Sequence, residues 1–313
     1  MKEGVSVVVP AYNYGRFLRD SLGSILAQSH SNFELIVIDD GSIDDTRKIV
    51  STFSDRRLRY IYQSNKGLSA ARNTGIANAK FPFIAFLDAD DTWYPEMLSA
   101  ALNQFARSQP NDALIAFGSV RMRVDGTPID LVQQRCTSDS FTEIKAQDIV
   151  IKSRFMPSAV VVKRAVFEAV GLFDTALRSS EDRDMWIRIA AKYQIRFCSR
   201  PLARIRKHPD NMSKNADRMR VNMRNVLRKY FHGPSKWYRE PITLLKAYGF
   251  HHFEVAWMYF DENRVSQAIV SLLTSLAIWP VFWNPRANLG PPPLFRIRAL
   301  VRFTLSLFGV NWS

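Results

Sequence analysis

The sequence predicts an α/β fold, a mostly parallel sheet covered by helices on both faces. Two observations carry that expectation. The first 110 residues alternate short, wholly apolar runs with amphipathic stretches, and strands apolar throughout are those buried on both faces. These runs also lead into polar clusters, "AYN", "DDGS" and "DADD". Such clusters would be neighbours on the carboxyl edge of a parallel sheet, where ligands bind.

Taken in order, "VSVVVP" reads as the first strand. A helix follows from Asn13, with Phe17, Leu18, Leu22, Ile25 and Leu26 on one face. "FELIVIDD" is the second strand, and Asp44-Asp45-Thr46 opens a second helix. "LRYIYQ" is the third strand, Gly67 to Lys80 the third helix, and "FPFIAFLDADD" the fourth strand, with a helix from about Pro95 to Arg107 after it. Beyond residue 113 the pattern turns mixed. "ALIAFGSVRMRVDGTPID" reads as a strand, a turn at Asp125-Gly126 and a return, and "MPSAVVVKRAVFEAVGLFD" as a strand and a short helix stopped at Gly171. "SSEDRDMWIRIAAKY" is a helix capped by Ser179 or Ser180, and "IRFCSRPLARIRKH" gives two extended pieces separated by Pro201. After about Asn215 only helical patterns remain, with Gly233-Pro234 as a candidate boundary. The expected organisation is a domain over 1–215, divided near 110, followed by a helical C-terminal extension over 216–313.

With 47% hydrophobic and 23% charged residues over 313 positions, the chain is globular in composition. Its two cysteines, Cys136 and Cys198, offer neither metal-ligand spacing nor a disulfide framework. The N-terminal apolar run is too short for a signal peptide, so a cytoplasmic location is expected. The net charge of +14 is uneven: residues 1–110 hold 12 basic and 12 acidic side chains, whereas 208–313 hold 14 and 6. Such a basic region suits nucleic acid, an anionic membrane surface or phosphorylated substrates. Nucleic acid is not expected, because no zinc spacing, aromatic strand signature or long Lys/Arg block accompanies the charge. The apolar segment Val265 to Trp283 is interrupted by Ser, Gln, Thr and Pro280, and falls short of the about 20 predominantly apolar residues that span a bilayer. The final "PPPLFRIRALVRFTLSLFGVNW" suits a helix lying in a membrane interface, peripheral on the inner face. A helix packed on the rest of the protein with snorkelling arginines fits it equally.

Asp88, Asp90 and Asp91 arrive together at the end of a buried strand, where like charges repel and lose hydration. A divalent cation shared with substrate phosphates would relieve that cost. A helix N-cap formed by Asp91 or Thr92 ahead of Pro95 is the alternative. Asp182 shares a stripe with Met185, Trp186 and Ile189 near a helix start whose positive end favours a carboxylate. Ser179-x-x-Asp182 also reads as a capping box.

Several spaced motifs together resemble glycosyltransferase family 2: "VSVVVPAYNYGRFLRDSLGSILAQSHSNFELIVIDDGSIDDT", "NKGLSAARNTGIANAK", "FIAFLDADD", then "GLFD", "SEDRDMWIRIA" and "RKHPDNMS". The resemblance covers residues 4–215 and leaves the tail outside. It implies the GT-A fold, a Rossmann-like sheet, and inverting transfer of a sugar from a nucleoside diphosphate, UDP or dTDP, to a saccharide or lipid-linked acceptor. The work it implies is the assembly of bacterial cell-surface polysaccharide or glycolipid. It also implies roles for particular residues. Pro10, Ala11, Tyr12 and Asn13 line base and ribose, Asp39 accepts from the base, and Arg72 contacts the diphosphate. Asp90 ligates Mn²⁺ or Mg²⁺ with Asp88 alongside and His208 as a further ligand. Asp182 is the base that deprotonates the acceptor, with Glu181 binding or positioning that acceptor. Asp40 is read as the turn residue of "DDGS", and Asp91 receives no role. Trp93, Trp186 and Met156-Pro157 are candidates for an apolar wall against the sugar. A scaffold of the same fold that binds the nucleotide sugar without catalysis is the alternative; joint retention of Asp39, Asp88, Asp90 and Asp182 argues against it.

Overall fold

The computed structural model describes residues 3–129, 140–209, 211, 214–232, 240–280 and 295–307. Two compact units divide the chain: Met1–Ala146 with Arg154–His208, and Gln147–Ser153 with Pro209–Ser313. The division falls a few residues before the expected one and assigns a short internal segment to the second unit.

The first unit opens with β1 (Val5–Ala11), α1 (Gly15–Leu26), β2 (Phe33–Asp39), α2 (Thr46–Val50), β3 (Leu58–Tyr62), α3 (Leu68–Asn78) and β4 (Phe83–Phe86). It continues through β5 (Thr92–Trp93), α4 (Met97–Arg107), β6 (Asp112–Met122), β7 (Phe141–Ile144), β8 (Val160–Lys163), α6 (Ala165–Val170), α7 (Glu181–Ala190) and β9 (Gln194–Arg206), while α5 (Ala146–Ile151), between β7 and β8 in sequence, belongs but for its first residue to the second unit. The strands form one nine-stranded sheet in the order β3-β2-β1-β4-β8-β6-β9-β5, with β7 also on β9. From β3 to β4 neighbours run parallel; β8 is antiparallel to both β4 and β6. The chain winds outward from β1 to β3, then returns to place β4 on the other side of β1. That reversal is a topological switch point, the place where open α/β sheets bind ligands.

Every residue of β1 and β2 is buried, which is why both read as unbroken apolar runs. Alternation sorts β1 between two layers. Val5, Val7 and Val9 join Leu18, Leu22 and Ile25 of α1 in one core cluster. Val8 faces the other layer, where α3 lies so close that a Cβ on Gly75 would stand 2.2 Å from Val8 Cγ1.

Two local expectations change. Pro201 does not separate a pair of strands: β9 runs through it with a bulge, its partners jumping from Phe117↔Cys198 to Gly118↔Pro201. A bulge is one of the few places a sheet accommodates proline. The capping box at Ser179 does not define α7 either. Its N-cap is Ser180, in the left-handed region at φ 60° and with no side-chain cap bond.

The second unit holds α8 (Ala216–His232), α9 (Pro241–Asp261), α10 (Val265–Ile278) and α11 (Phe295–Leu307). Ala216, Val255, Ala256, Tyr259, Ala268, Leu272, Ala299 and Phe303 form its core. Asp217 binds α8 to α9, accepting from Tyr259 O–H at 2.5 Å and from Arg264 Nη1 at 2.7 Å. The terminal helix contributes Ala299 and Phe303 to this core, and its buried Arg296 donates to the Trp279 carbonyl at 2.6 Å. Among the described residues no helix is long and apolar enough to cross a membrane. Cys136, Gly233-Pro234 and Trp312 lie outside the described residues.

Candidate active site

The loops after β1, β2 and β4 lie at the switch point, and hydrogen bonds between the first two fix their shapes. Pro10 and Ala11 end β1 and are buried, while Tyr12 is 45% exposed. Asn13 takes a left-handed φ of 57°, a region asparagine tolerates better than most residues. Its N–H donates to Ser42 Oγ at 3.0 Å, and its Oδ1 accepts from the Ile43 N–H at 2.9 Å.

Asp39 and Asp40 exchange the emphasis that the sequence suggested. Asp39 Oδ1 accepts from the Ser42 N–H at 2.8 Å, closing the turn, while Oδ2 accepts from Tyr60 O–H at 2.5 Å. Burial, and then this carboxylate, push the Tyr60 phenol well above its ordinary value. Asp40 is not the turn residue. It accepts from Gln63 Nε2 and from the Lys66 and Gly67 N–H groups at 2.7–3.0 Å, holding the segment that leads into α3.

Arg72 of α3 is the centre of the opposite wall. It is 1% exposed. Nη1 donates to Glu181 Oε1 at 2.5 Å and Nη2 to Asp88 Oδ1 at 2.6 Å. Both terminal nitrogens are therefore engaged by carboxylates, and the fork expected to meet a diphosphate instead ties β4 to the start of α7. Burial pulls the guanidinium pKa down, but the two carboxylates outweigh it and leave it raised. Burial raises Asp88 and Glu181 against the opposing pull of Arg72; Asp90 raises Asp88 further, and Asp182 raises both.

Asp91 gains a definite place. It is buried, its Oδ2 accepting from Ser158 O–H at 2.5 Å and its Oδ1 from the Arg206 N–H at 2.9 Å. Ser158 in turn accepts from the Asp88 N–H at 3.1 Å. Burial, with Asp90 and Asp88 adding to it, holds Asp91 well above the usual carboxylate range. Its contacts fix the loop in shape. Arg206 completes the frame, its Nε donating to the Asp90 carbonyl at 2.9 Å and its Nη2 to Asp20 at 2.9 Å.

Asp90 and His208 come together. Asp90 Oδ2 lies 2.9 Å from His208 Nε2, and the imidazole is set by Phe17 and Tyr14, with ring centroids 5.0 and 5.5 Å away. The contact is a hydrogen bond, and adjacent ligands on an octahedral ion with bonds of about 2.1 Å would also stand about 3 Å apart. Among the described residues no group of three or more His, Cys, Asp or Glu could hold a metal by themselves. A small hard cation is ordinarily bound by one or two protein ligands together with water and substrate phosphates.

Asp182 differs from Asp39, Asp40, Asp88, Asp90 and Asp91. It is partly exposed, and among the described residues its carboxylate makes no hydrogen bond or ion pair. The apolar wall suggested by the sequence is mostly absent: Trp93 and Trp186 are 2% and 0% exposed and belong to the interior, and Pro157 is buried too. Met156, 43% exposed, remains available. Tyr60, Ser158 and Arg206, which position the rim, carried no recognisable signal because each acts through a partner distant in sequence.

A strand-order reversal beneath a rim of carboxylates, joined to a mixed second half of the sheet, is the architecture of the GT-A nucleotide-sugar enzymes. Residues 6–171 match the model of glycosyl transferase family 2. The chain belongs to that family. An uncharacterized glycosyltransferase of Rickettsia felis is 32% identical over 216 residues, 67% of this chain and 35% of that relative. The putative teichuronic acid biosynthesis glycosyltransferase TuaG of Bacillus subtilis is 37% identical over 129 residues, 40% of this chain and 50% of that relative. The chain thus matches half or less of the length of these two relatives. Among solved structures, S. aureus TarS 1–349 in complex with UDP-GlcNAc superposes with a TM-score of 0.64 at 18% identity, covering 98% of this chain and 92% of that one. The mannosyltransferase PcManGT from Pyrobaculum calidifontis, in complex with GDP-Man and Mn²⁺, gives 0.60 at 19% identity, covering 98% and 81%. At these identities the likeness shows the fold alone.

Proposed function

We propose that this chain transfers a sugar from a nucleoside diphosphate to an acceptor hydroxyl by single displacement with inversion, in the assembly of a cell-surface polysaccharide or glycolipid. One observation carries the catalytic assignment. On a rim where Asp39, Asp40, Asp88, Asp90 and Asp91 are all engaged, Asp182 is the carboxylate left open to a ligand. The solved neighbours holding UDP-GlcNAc and GDP-Man support a nucleotide-sugar donor, and TuaG supports the polysaccharide context.

In this reading the loops after β1 and β2 receive base and ribose, with Tyr12 exposed against them. Asp182 accepts the proton of the acceptor hydroxyl as its oxygen bonds the anomeric carbon and the bond from that carbon to the diphosphate breaks. A single protein base suffices, unlike the paired carboxylates of retaining glycoside hydrolysis. Arg72 is a positioning residue, holding Asp88 and Glu181 in one frame. Asp90 and His208, with Asp88 beside them, would hold Mn²⁺ or Mg²⁺, whose charge would stabilise the departing diphosphate.

The test is a donor screen with and without Mn²⁺ on the wild type and on Asp182→Asn. The expected outcome is unchanged donor affinity and a transfer rate lower by about 10²–10⁴-fold, the usual contribution of a positioned general base. Full transfer by Asp182→Asn would overturn the base assignment.

A further inference from the structure

The second unit carries a surface that the transfer chemistry does not use. On α8, Arg220, Arg224 and Arg228 recur every fourth residue, so they stand in one row along the helix. Arg224 and Arg228 are exposed and make no ion pair or hydrogen bond among the described residues. The neighbouring acid, Asp217, does little to neutralise the row. Its oxygens are engaged by Tyr259 and Arg264, and Arg220 Nε is 3.8 Å away.

Contacts from Asp217 to Tyr259 and from Phe231 to Tyr248 show that α9 runs back alongside α8. It brings Leu245, Tyr248 and His252, on one stripe, beside the arginines. Burial raises the Tyr248 phenol while Arg228 and Arg224 pull against it, and burial lowers the His252 imidazole with Arg220 and Arg224 adding to it. The row therefore flanks both side chains. Apolar groups are interleaved with this charge, Val221 at 48% and Leu245 at 38% exposure.

We propose that the α8–α9 face bearing Arg220, Arg224 and Arg228 beside Leu245 and Tyr248 is a docking surface for an anionic lipid bilayer. Each component has a physical counterpart there. Arginines near a negatively charged leaflet attract its phosphates within a screening length, tyrosine suits the headgroup level, and exposed leucine and valine suit the acyl boundary. A soluble polyanion would be served by the arginines but not by the apolar groups between them. The excess of basic residues over 208–313, 14 against 6, has the same sign. On the terminal helix, whose composition fitted a membrane interface and simple packing equally, Arg296 is buried and Arg302 lies over the Trp257 and Phe260 rings at 5.6 Å, although Arg298, Ile297 and Val301 stay exposed. This inference does not depend on the catalytic reading.

The test is cosedimentation of the full chain with vesicles of phosphatidylcholine, with and without phosphatidylglycerol, at low and high salt. The wild type should bind only the anionic vesicles and release as salt rises. R224Q/R228Q should weaken that binding about 25-fold, roughly fivefold for each arginine. L245N should weaken it as well, and R298Q/R302Q on the terminal helix should leave it unchanged. Undiminished binding by R224Q/R228Q, or a loss found only in R298Q/R302Q, would overturn the proposal. So would a wild type that binds heparin but no vesicle.

Discussion

Asp39, at the end of β2, and Asp40 after it find their partners as N–H and O–H donors, whereas Asp88, Asp90 and Asp91, after β4, crowd one another, with Asp88 on the buried Arg72, Asp90 on His208, and Asp91 on Ser158 and the Arg206 N–H. Both clusters read alike in the sequence, as carboxylates at a strand end. The first is neutralised by dipoles and serves to set loop shape. The second concentrates negative charge where burial already raises the pKa of Asp88 and Asp91, and the neighbouring aspartates add to that rise. Such a cluster is costly on its own and becomes favourable when a cation joins it. The difference teaches that the partners of an acidic motif, more than its spacing, decide how its charge is met.

The comparison is broken most severely at Arg72. Arg72→Met leaves Asp88 and Glu181 without their shared cation, and loss of one partner from a buried ion pair costs about 3–5 kcal/mol. Denaturant unfolding should show a loss in that range, and adding Glu181→Gln should restore some of it. No change in the unfolding midpoint would show that the arginine is dispensable to the frame. Asp40→Ala tests the dipolar cluster: three donors lose their acceptor, and stability should fall by about 1–3 kcal/mol. Hydrogen exchange should quicken at Lys66 and Gly67, with the Asp88 loop unaffected. Tyr60→Phe removes one donor to Asp39 and should cost about 0.5–1.5 kcal/mol, again by denaturant unfolding.

The smallest effect is confined to low pH. Glu34 is a carboxylate on β2 away from the rim. Burial acts to raise it, but the Lys80 N–H, Ser6 and Arg59 prevail and hold it below its ordinary value. Such a group contributes stability that is full above its unfolded pKa and is lost as pH falls through the folded one. Glu34→Gln should therefore flatten the acid side of a stability–pH curve. Asp91 has the opposite sign: with its pKa raised, its contribution is full below the unfolded pKa and lost as pH rises through the folded one, so Asp91→Asn should steepen the fall in stability toward acid rather than flatten it.

The parallel half was legible because β1, β2 and β4 are buried on both faces and their composition says so. The rim followed from topology, since strand ends in such a sheet must converge. What escaped was structure held by distant partners. β5 is two residues long and exists through its pairing with β9. β7 is half polar, as befits a strand with exposed positions. Pro201 looked like a strand end because a bulge depends on what lies opposite it. Asp91 resisted interpretation for the same reason: its donors are Ser158 and Arg206, 67 and 115 positions away. Arg72 looked like a ligand-binding fork because nothing local reveals that Glu181 occupies one of its arms.

Gly75 controls more than the packing of α3. It lies one turn beyond Arg72 on the same helix, and its lack of a side chain sets how deeply that helix sinks onto β1 at Val8. Depth here is also reach, because the guanidinium bridges two carboxylates with contacts of 2.5 and 2.6 Å. A single methyl added at Gly75 carries no charge and touches no carboxylate, yet it would lift the arginine's anchor. The missing methyl is the shim that keeps an electrostatic joint closed, adjustable from a purely apolar surface.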